Sequence, residues 1–128
     1  ENLNIDNFKE VLLINSLSIV GIIQKILNNY PPELIINISS DAGSISKNDQ
    51  GNAYIYRASK TALNSITRNM SVDLNRRFGT CVFAIDPGNV ESGMNPSGHL
   101  KSEDCANLII DLISLDVKKT LNYGRNIF

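Results

Sequence analysis

In the stretch AYIYRASKTALNS, residues 53–65, Tyr56 and Lys60 stand four positions apart. On an α-helix that spacing sets one above the other, because residues i and i+4 share a face. Tyr54, six positions before Lys60, falls on a different face. A phenol with an ordinary pKa of about 10 is a poor base at neutral pH. An ammonium within a few ångströms favours the phenolate and brings proton transfer within reach. A hydroxyl such as that of Ser40 can hydrogen-bond a substrate oxygen while its charge changes. Pairs of this kind also arise by chance on helices, so this one gains meaning only if other elements bring it partners.

The elements that must do so can be traced along the chain. Residues 6–27 carry Phe8, Val11, Leu12, Ile19, Ile22 and Ile26 on one helical stripe. Leu13, Ile14, Leu17, Val20 and Ile23 make other faces apolar as well, which predicts a helix covered on more than one side. Asn15 falls within the main stripe, and on periodicity alone it reads as a core asparagine with its hydrogen bonds met. YPPE then breaks the helix, since proline cannot continue it. LIINIS, 34–39, reads as a strand buried on both faces, and SDAGSISKNDQGN, 40–52, reads as a loop. Residues 53–78 form a long helix with Ala62, Ile66, Met70 and Leu74 on one stripe. GTCVFAIDPG, 79–88, is a second buried strand ending in a Pro-Gly turn. A loop, NVESGMNPSGHLKS, leads to a helix capped by Ser102 and reaching about Leu115, with Glu103 and Asp104 suiting its N-terminal dipole. GRNIF could open a last strand.

Strands alternating with helices of this length predict a parallel sheet in an α/β fold, with ligands bound beyond the carboxyl ends of the strands. SSDAGS and DPGNVES both lie at such ends. The start of the 53–78 helix returns to the same edge and brings Tyr56 towards Ser40.

Composition excludes other classes of function. The chain has 128 residues, 42% hydrophobic and 20% charged, with a formal net charge of -1, which fits one globular domain or part of one. Its Lys and Arg are scattered, leaving no electrostatic footprint for nucleic acid or an anionic membrane. Cys81 and Cys105 have no disulfide or metal-type spacing and read as reduced and structural. His99 is the one histidine, which leaves no basis for a histidine metal site or a Ser-His triad. No apolar run approaches 18 residues without a polar break and no signal peptide is recognisable, so a cytoplasmic location is expected. The 17 asparagines are scattered rather than clustered in a low-complexity block.

The segments LIINISSDAGS, YIYRASKTALNSITRNMSVDL and CVFAIDPGNVESGM together resemble the short-chain dehydrogenases/reductases, most closely their C-factor-like carbonyl reductase branch. In that family a strand ends in an S-x-x-G turn, a Y-x-x-x-K helix follows, and the next strand ends in PG with a Thr or Ser downstream. The resemblance covers about residues 5–128 but only the C-terminal, catalytic part of the family's single Rossmann-type domain. It implies a three-layer α/β fold with parallel strands whose nucleotide-binding half is missing. It also implies NAD or NADP as cofactor and a small carbonyl or alcohol as substrate.

The same resemblance assigns roles residue by residue. Tyr56 would be the general acid/base, with Lys60 lowering its pKa and hydrogen-bonding the nicotinamide ribose. Ser40, with Gly43 three residues on, would polarise the substrate oxygen, Ser39 being the weaker choice. Asn15 would help hold a water in a proton relay towards the lysine. Pro87, Gly88 and Val90 would line the nicotinamide pocket, and Ser92 would touch the cofactor's amide or phosphate. The Ser40-to-Tyr56 spacing of 16 exceeds the commonest family spacing, and the extra SKNDQGN loop could shape a substrate mouth. Arg57 and Asn64, typical of the branch, receive no chemistry; Arg57 is read as a surface or interface residue and His99 as a surface one. Helices 6–27 and 53–78 would build a homo-oligomer interface, with Ala58, Ser59 and Ala62 permitting close approach.

The sequence holds no G-x-x-x-G-x-G turn, no residue placed to read the adenosine ribose and no N-N-A-G. It is therefore expected to be truncated at both ends and not to bind NAD(P) usefully alone, with residues 34–39 left at a sheet edge. Two other readings follow from that expectation, a catalytically inactive association module and a non-functional partial gene product.

Overall fold

The computed structural model of the chain describes residues 3–114, and the strand expected at GRNIF lies outside them. The described residues fall into two compact units, one ending at Ile85 and the other beginning at Asp86.

The first unit opens with helix α1, Ile5–Leu12, whose N-cap Asn4 accepts from the backbone N–H groups of Asp6 and Asn7 at 2.8 and 3.4 Å. The helix expected to run unbroken over 6–27 is interrupted. Leu13–Leu17 form one π-helical turn in which Ser18 N–H reaches back to Leu13 O, and α2, Ser18–Leu27, follows. A π turn inserts one residue into the helical repeat and so rotates what comes after it. Here it directs Ser16, fully buried, and Asn15 towards the later long helix. Leu13, Ile14 and Leu17 are left more than half exposed, and Ile22 with them. The helix is thus covered on one side, since no described element lies against the other. The run Ile5–Leu27, 23 residues, has the length and average hydropathy of a membrane span, while Asn15, Ser16, Ser18 and Gln24 break its apolar character as expected.

Strands β1, Leu34–Ile38, and β2, Cys81–Ile85, pair in parallel with Leu34 opposite Cys81 and Ile38 opposite Ile85. Between them run a short 3-10 turn, Asp41–Gly43, and helix α3, Tyr54–Phe78, which stops at Gly79 with φ 72°. Glycine enters that left-handed conformation without a Cβ clash and ends the helix. The core gathers Ile23, Leu74 and Val82 with Ile19, Leu27, Ile35 and Met70 around them. Strand β2 is buried through Val82, Phe83 and Ala84, as expected, whereas β1 buries only Asn37 and leaves Ile38 exposed.

The buried stripe of α3 is Ile55, Ser59, Leu63, Thr67 and Leu74. Of the expected stripe only Leu74 is fully buried, while Ala62, Ile66 and Met70 are half-buried. The apolar pattern misses the true face because two of its members are hydroxyl residues with partners inside. Thr67 accepts from Asn37 Nδ2 at 2.8 Å, and both are buried. Thr67→Val keeps the shape but strands the Asn37 amide, so it should cost at least about 1 kcal/mol. Denaturant unfolding of the variant checks this.

In the second unit the backbone turns at Gly88, φ 76°, and the loop after it is closed by bridges between Val90 and Leu100 and between Ser92 and Asn95. Helix α4, Ser102–Ser114, follows, and Cys105 N–H bonds to Lys101 O, so the cap position is Lys101 rather than Ser102. Both cysteines are free thiols.

Candidate active site

Tyr56 and Lys60 occupy the first two turns of α3. The helix start is set by Gly51, Asn52 and Ala53, all at positive φ (66°, 52° and 46°), which swing the chain out of the preceding loop. Arg57 fixes that swing. Its Nε donates to Gly51 O at 3.1 Å, so this half-buried residue, expected at the surface or an interface, clips loop to helix. Tyr56 itself remains 43% exposed, enough for its ring and hydroxyl to meet a ligand.

Lys60 reaches back along the helix face. Its Nζ lies 5.7 Å from the centre of the Tyr56 ring, close enough for the cation to act on the ring and on charge nearby. The ammonium also donates to Ile38 O, at the carboxyl end of β1, at 3.0 Å. Partial burial withdraws water from it and lowers its pKa below 10.5. The folded state therefore holds the Lys60 proton less tightly than the unfolded chain. Where the folded state binds fewer protons, stability increases with pH. Between the lowered pKa and 10.5, Lys60 should thus add stability as pH rises. NMR titration of the Lys60 side chain should give a midpoint below 10.5 in the folded chain and a higher one in denaturant.

Ser40 follows β1 directly. Ser39 N–H bonds to Ile85 O at 2.7 Å, which extends the ladder to the brink of the turn. Ser40 is extended, φ −165°, and caps the 3-10 turn, its Oγ accepting from Ala42 N–H at 3.2 Å and donating to Asp41 Oδ1 at 3.0 Å. The turn lies flat on α3 because Gly43 has no side chain. A Cβ there would stand 2.5 Å from Asn64 Nδ2 and 3.0 Å from both the carbonyl carbon and oxygen of Lys60. The S-x-x-G spacing thus has a steric basis, since the glycine lets the serine turn rest against the lysine's own backbone.

Asn15 arrives from the π turn. Its Nδ2 donates to Ser59 Oγ at 3.0 Å, and Ser59 Oγ donates to Tyr56 O at 2.7 Å. The amide is thereby joined to the main chain of Tyr56 through one hydroxyl. Ser16 Oγ adds a second link, 3.2 Å from Ser59 O and 3.0 Å from Leu12 O. Ser59 is fully buried within this contact.

The first unit therefore assembles Asn15, Ser40, Tyr56 and Lys60 through shared neighbours. Ser16, Ser59 and Asn64 serve that assembly, and apolar periodicity gave no sign of them. Pro87, Gly88, Val90 and Ser92 belong to the second unit. There Pro87 O accepts from Cys105 Sγ at 3.8 Å, Gly88 N–H bonds to Asp86 Oδ1 at 3.0 Å, and Val90 N–H bonds to Gly88 O at 3.1 Å. Ser92 Oγ accepts from Asn95 N–H at 3.1 Å. Among the described residues no group of His, Cys, Asp and Glu could hold a metal.

Comparison with known proteins accords with this geometry. The family model for short chain dehydrogenase matches residues 1–102. The C-signal protein of Myxococcus xanthus is 39% identical over 71 residues, 55% of this chain and 42% of that one. Among solved structures, the NADPH-bound carbonyl reductase from chicken fatty liver superposes with a TM-score of 0.76 at 28% identity, covering 92% of this chain and 53% of that one. The carbonyl reductase Sniffer of D. melanogaster gives 0.72 at 29% identity, covering 89% and 52%. The chain spans about half the length of these relatives. With the parallel strands, the serine turn and the tyrosine–lysine helix in place, the chain belongs to the short-chain dehydrogenase family.

Proposed function

We propose that the chain carries the proton-transfer site of an NAD(P)-dependent oxidoreductase that reduces a small carbonyl compound or oxidises the corresponding alcohol. The observation that carries this reading is the Lys60 ammonium, anchored on Ile38 O and set 5.7 Å from the Tyr56 ring beside a serine turn packed on the same helix.

In the reductive direction Ser40 Oγ turns its one proton from Asp41 Oδ1 to the substrate carbonyl oxygen and holds that oxygen near the Tyr56 hydroxyl. Tyr56 releases its proton to that oxygen as the carbonyl carbon gains a hydride, giving the alcohol. Negative charge left on the phenolic oxygen is stabilised by the Lys60 cation, whose position is fixed before the reaction begins. Asn15 and Ser59 hold the main chain of Tyr56 steady while this happens. In oxidation each step reverses and Tyr56 is the base.

The nicotinamide supplies or accepts the hydride when bound. The residues present fit its ribose end, because Lys60 has N–H donors beyond the one given to Ile38 O and Tyr56 is accessible beside it. The chain contains no glycine-rich turn of the kind that cradles a dinucleotide's phosphates. In the second unit, Pro87, Gly88, Val90 and Ser92 are the residues that the family resemblance assigns to the nicotinamide. A cytoplasmic location suits the two free thiols.

A second reading, an association module, draws on the exposed Leu13, Ile14, Leu17 and Ile22. It needs no turnover. The experiment that tests the first reading follows the absorbance of NADPH and NADH with a panel of small aldehydes and ketones. Carbonyl-dependent oxidation of either cofactor supports the assignment, and its absence across the panel removes it.

A further inference from the structure

The turn that carries Ser40 is held internally by its own backbone: Gly43 N–H bonds to Ser40 O and Ser44 N–H to Asp41 O, each at 2.9 Å. Those bonds shape the turn but do not tie it to the helix bearing Tyr56 and Lys60. One side chain ties both ends. Asn64, one turn beyond Lys60, accepts the Ser39 Oγ proton on Oδ1 at 2.6 Å and donates from Nδ2 to Gly43 O at 3.3 Å. Ser39 is buried and immediately precedes Ser40, and Gly43 closes the turn. Thr61 Oγ1 adds a donor to the same Gly43 carbonyl at 3.2 Å. The two bonds of Asn64 run in opposite senses, one accepting and one donating. An aspartate could keep the first but has no donor for the second, and an alanine keeps neither.

We propose that Asn64 is the positioning residue for Ser40, clamping both ends of its turn to α3 and so fixing the serine hydroxyl against the Tyr56–Lys60 pair. The consequence for turnover rests on the reductase reading; the clamp itself rests on the hydrogen bonds alone.

The test is amide hydrogen exchange by NMR on the full chain and on Asn64→Ala and Asn64→Asp, paired with steady-state kinetics. In Asn64→Ala the Gly43 and Ser44 amides should exchange about tenfold faster, the scale of one lost hydrogen bond. The Ser39 amide, bonded to Ile85 O, serves as the internal reference and should not change. Turnover should fall in kcat with KM for NADPH unchanged. If Asn64→Ala loosens the reference too, Asn64→Asp decides, because it can still accept from Ser39. Selective loosening at Gly43 and Ser44 then supports the clamp, and loosening spread evenly over the chain overturns it, as Asn64 would be a general packing residue. Unchanged exchange at the turn also overturns it, whatever the kinetics. Faster exchange in a chain whose parent shows no turnover keeps the clamp and removes the reductase reading.

Discussion

Tyr56→Phe should reduce carbonyl-dependent NADPH oxidation by about 10²–10⁴-fold, the usual worth of one positioned acid or base. The substitution removes a single oxygen. The ring remains, so its contact with the Lys60 cation, 5.7 Å from the ring centre, should persist. The main-chain carbonyl of residue 56 also remains, and with it the bond from Ser59 Oγ at 2.7 Å that secures the first turn of α3. Because Tyr56 is 43% exposed, deleting its hydroxyl opens no core cavity, and the melting temperature should be nearly unchanged. Any affinity of the parent for the cofactor, read by nicotinamide fluorescence, should survive apart from the hydroxyl's own share. The signature is a collapse of kcat in a protein that stays folded. A variant with parental kcat would exclude Tyr56 as the proton donor.

Gly43→Ala should have the next largest effect, acting on stability and turnover together. The new methyl would lie 2.5 Å from Asn64 Nδ2 and 3.0 Å from the Lys60 carbonyl. The amide can rotate aside only by giving up its bonds to Ser39 and Gly43, and the Lys60 carbonyl is part of the α3 backbone and cannot give locally. The turn must therefore lift away from the helix. Overpacking of this kind costs about 1–3 kcal/mol. Ser40 lifts with the turn, and a displacement of about 1 Å at a catalytic group can cost about 10²-fold in rate. Chemical denaturation and kcat together check it. A stable variant with parental kcat would show that the turn need not rest on α3.

The placement of the candidate residues was legible in the sequence because it depends on short spacings. Tyr56 and Lys60 are linked by helical geometry alone, and Ser40 and Gly43 by a turn three residues long. The order of strands and helices followed from local runs, and the parallel pairing of β1 with β2 bears it out. Features that depend on distant partners were not legible. Ser59 is a neutral small residue in the sequence, and its importance comes from Asn15 and Ser16, more than forty positions earlier. Thr67 was missed as a core residue for the same reason, since its partner Asn37 is thirty positions away. Asn64, given no chemistry, meets Ser39 and Gly43 only once the turn is laid on the helix. The π turn at Leu13–Leu17 has no local signature either, because a run of leucine, isoleucine, asparagine and serine is also found within an ordinary helix.

The register of the two strands has a consequence for handling the protein. The odd-numbered residues of β1 and its flanks turn their backbone groups towards β2, as the bonds of Glu33 O with Cys81 and of Ser39 N–H with Ile85 show. Alternation then points the amides of Leu34, Ile36 and Ile38 the opposite way, where no described strand pairs with them. Lys60 covers only the last of these, at Ile38 O. A row of bare amides beside the half-buried Leu34 and Ile36 and the exposed Ile38 is a template on which one molecule can stack upon another as a growing cross-strand assembly. Dilute solutions should therefore keep better than concentrated ones, and a trace of old precipitate should seed fresh material.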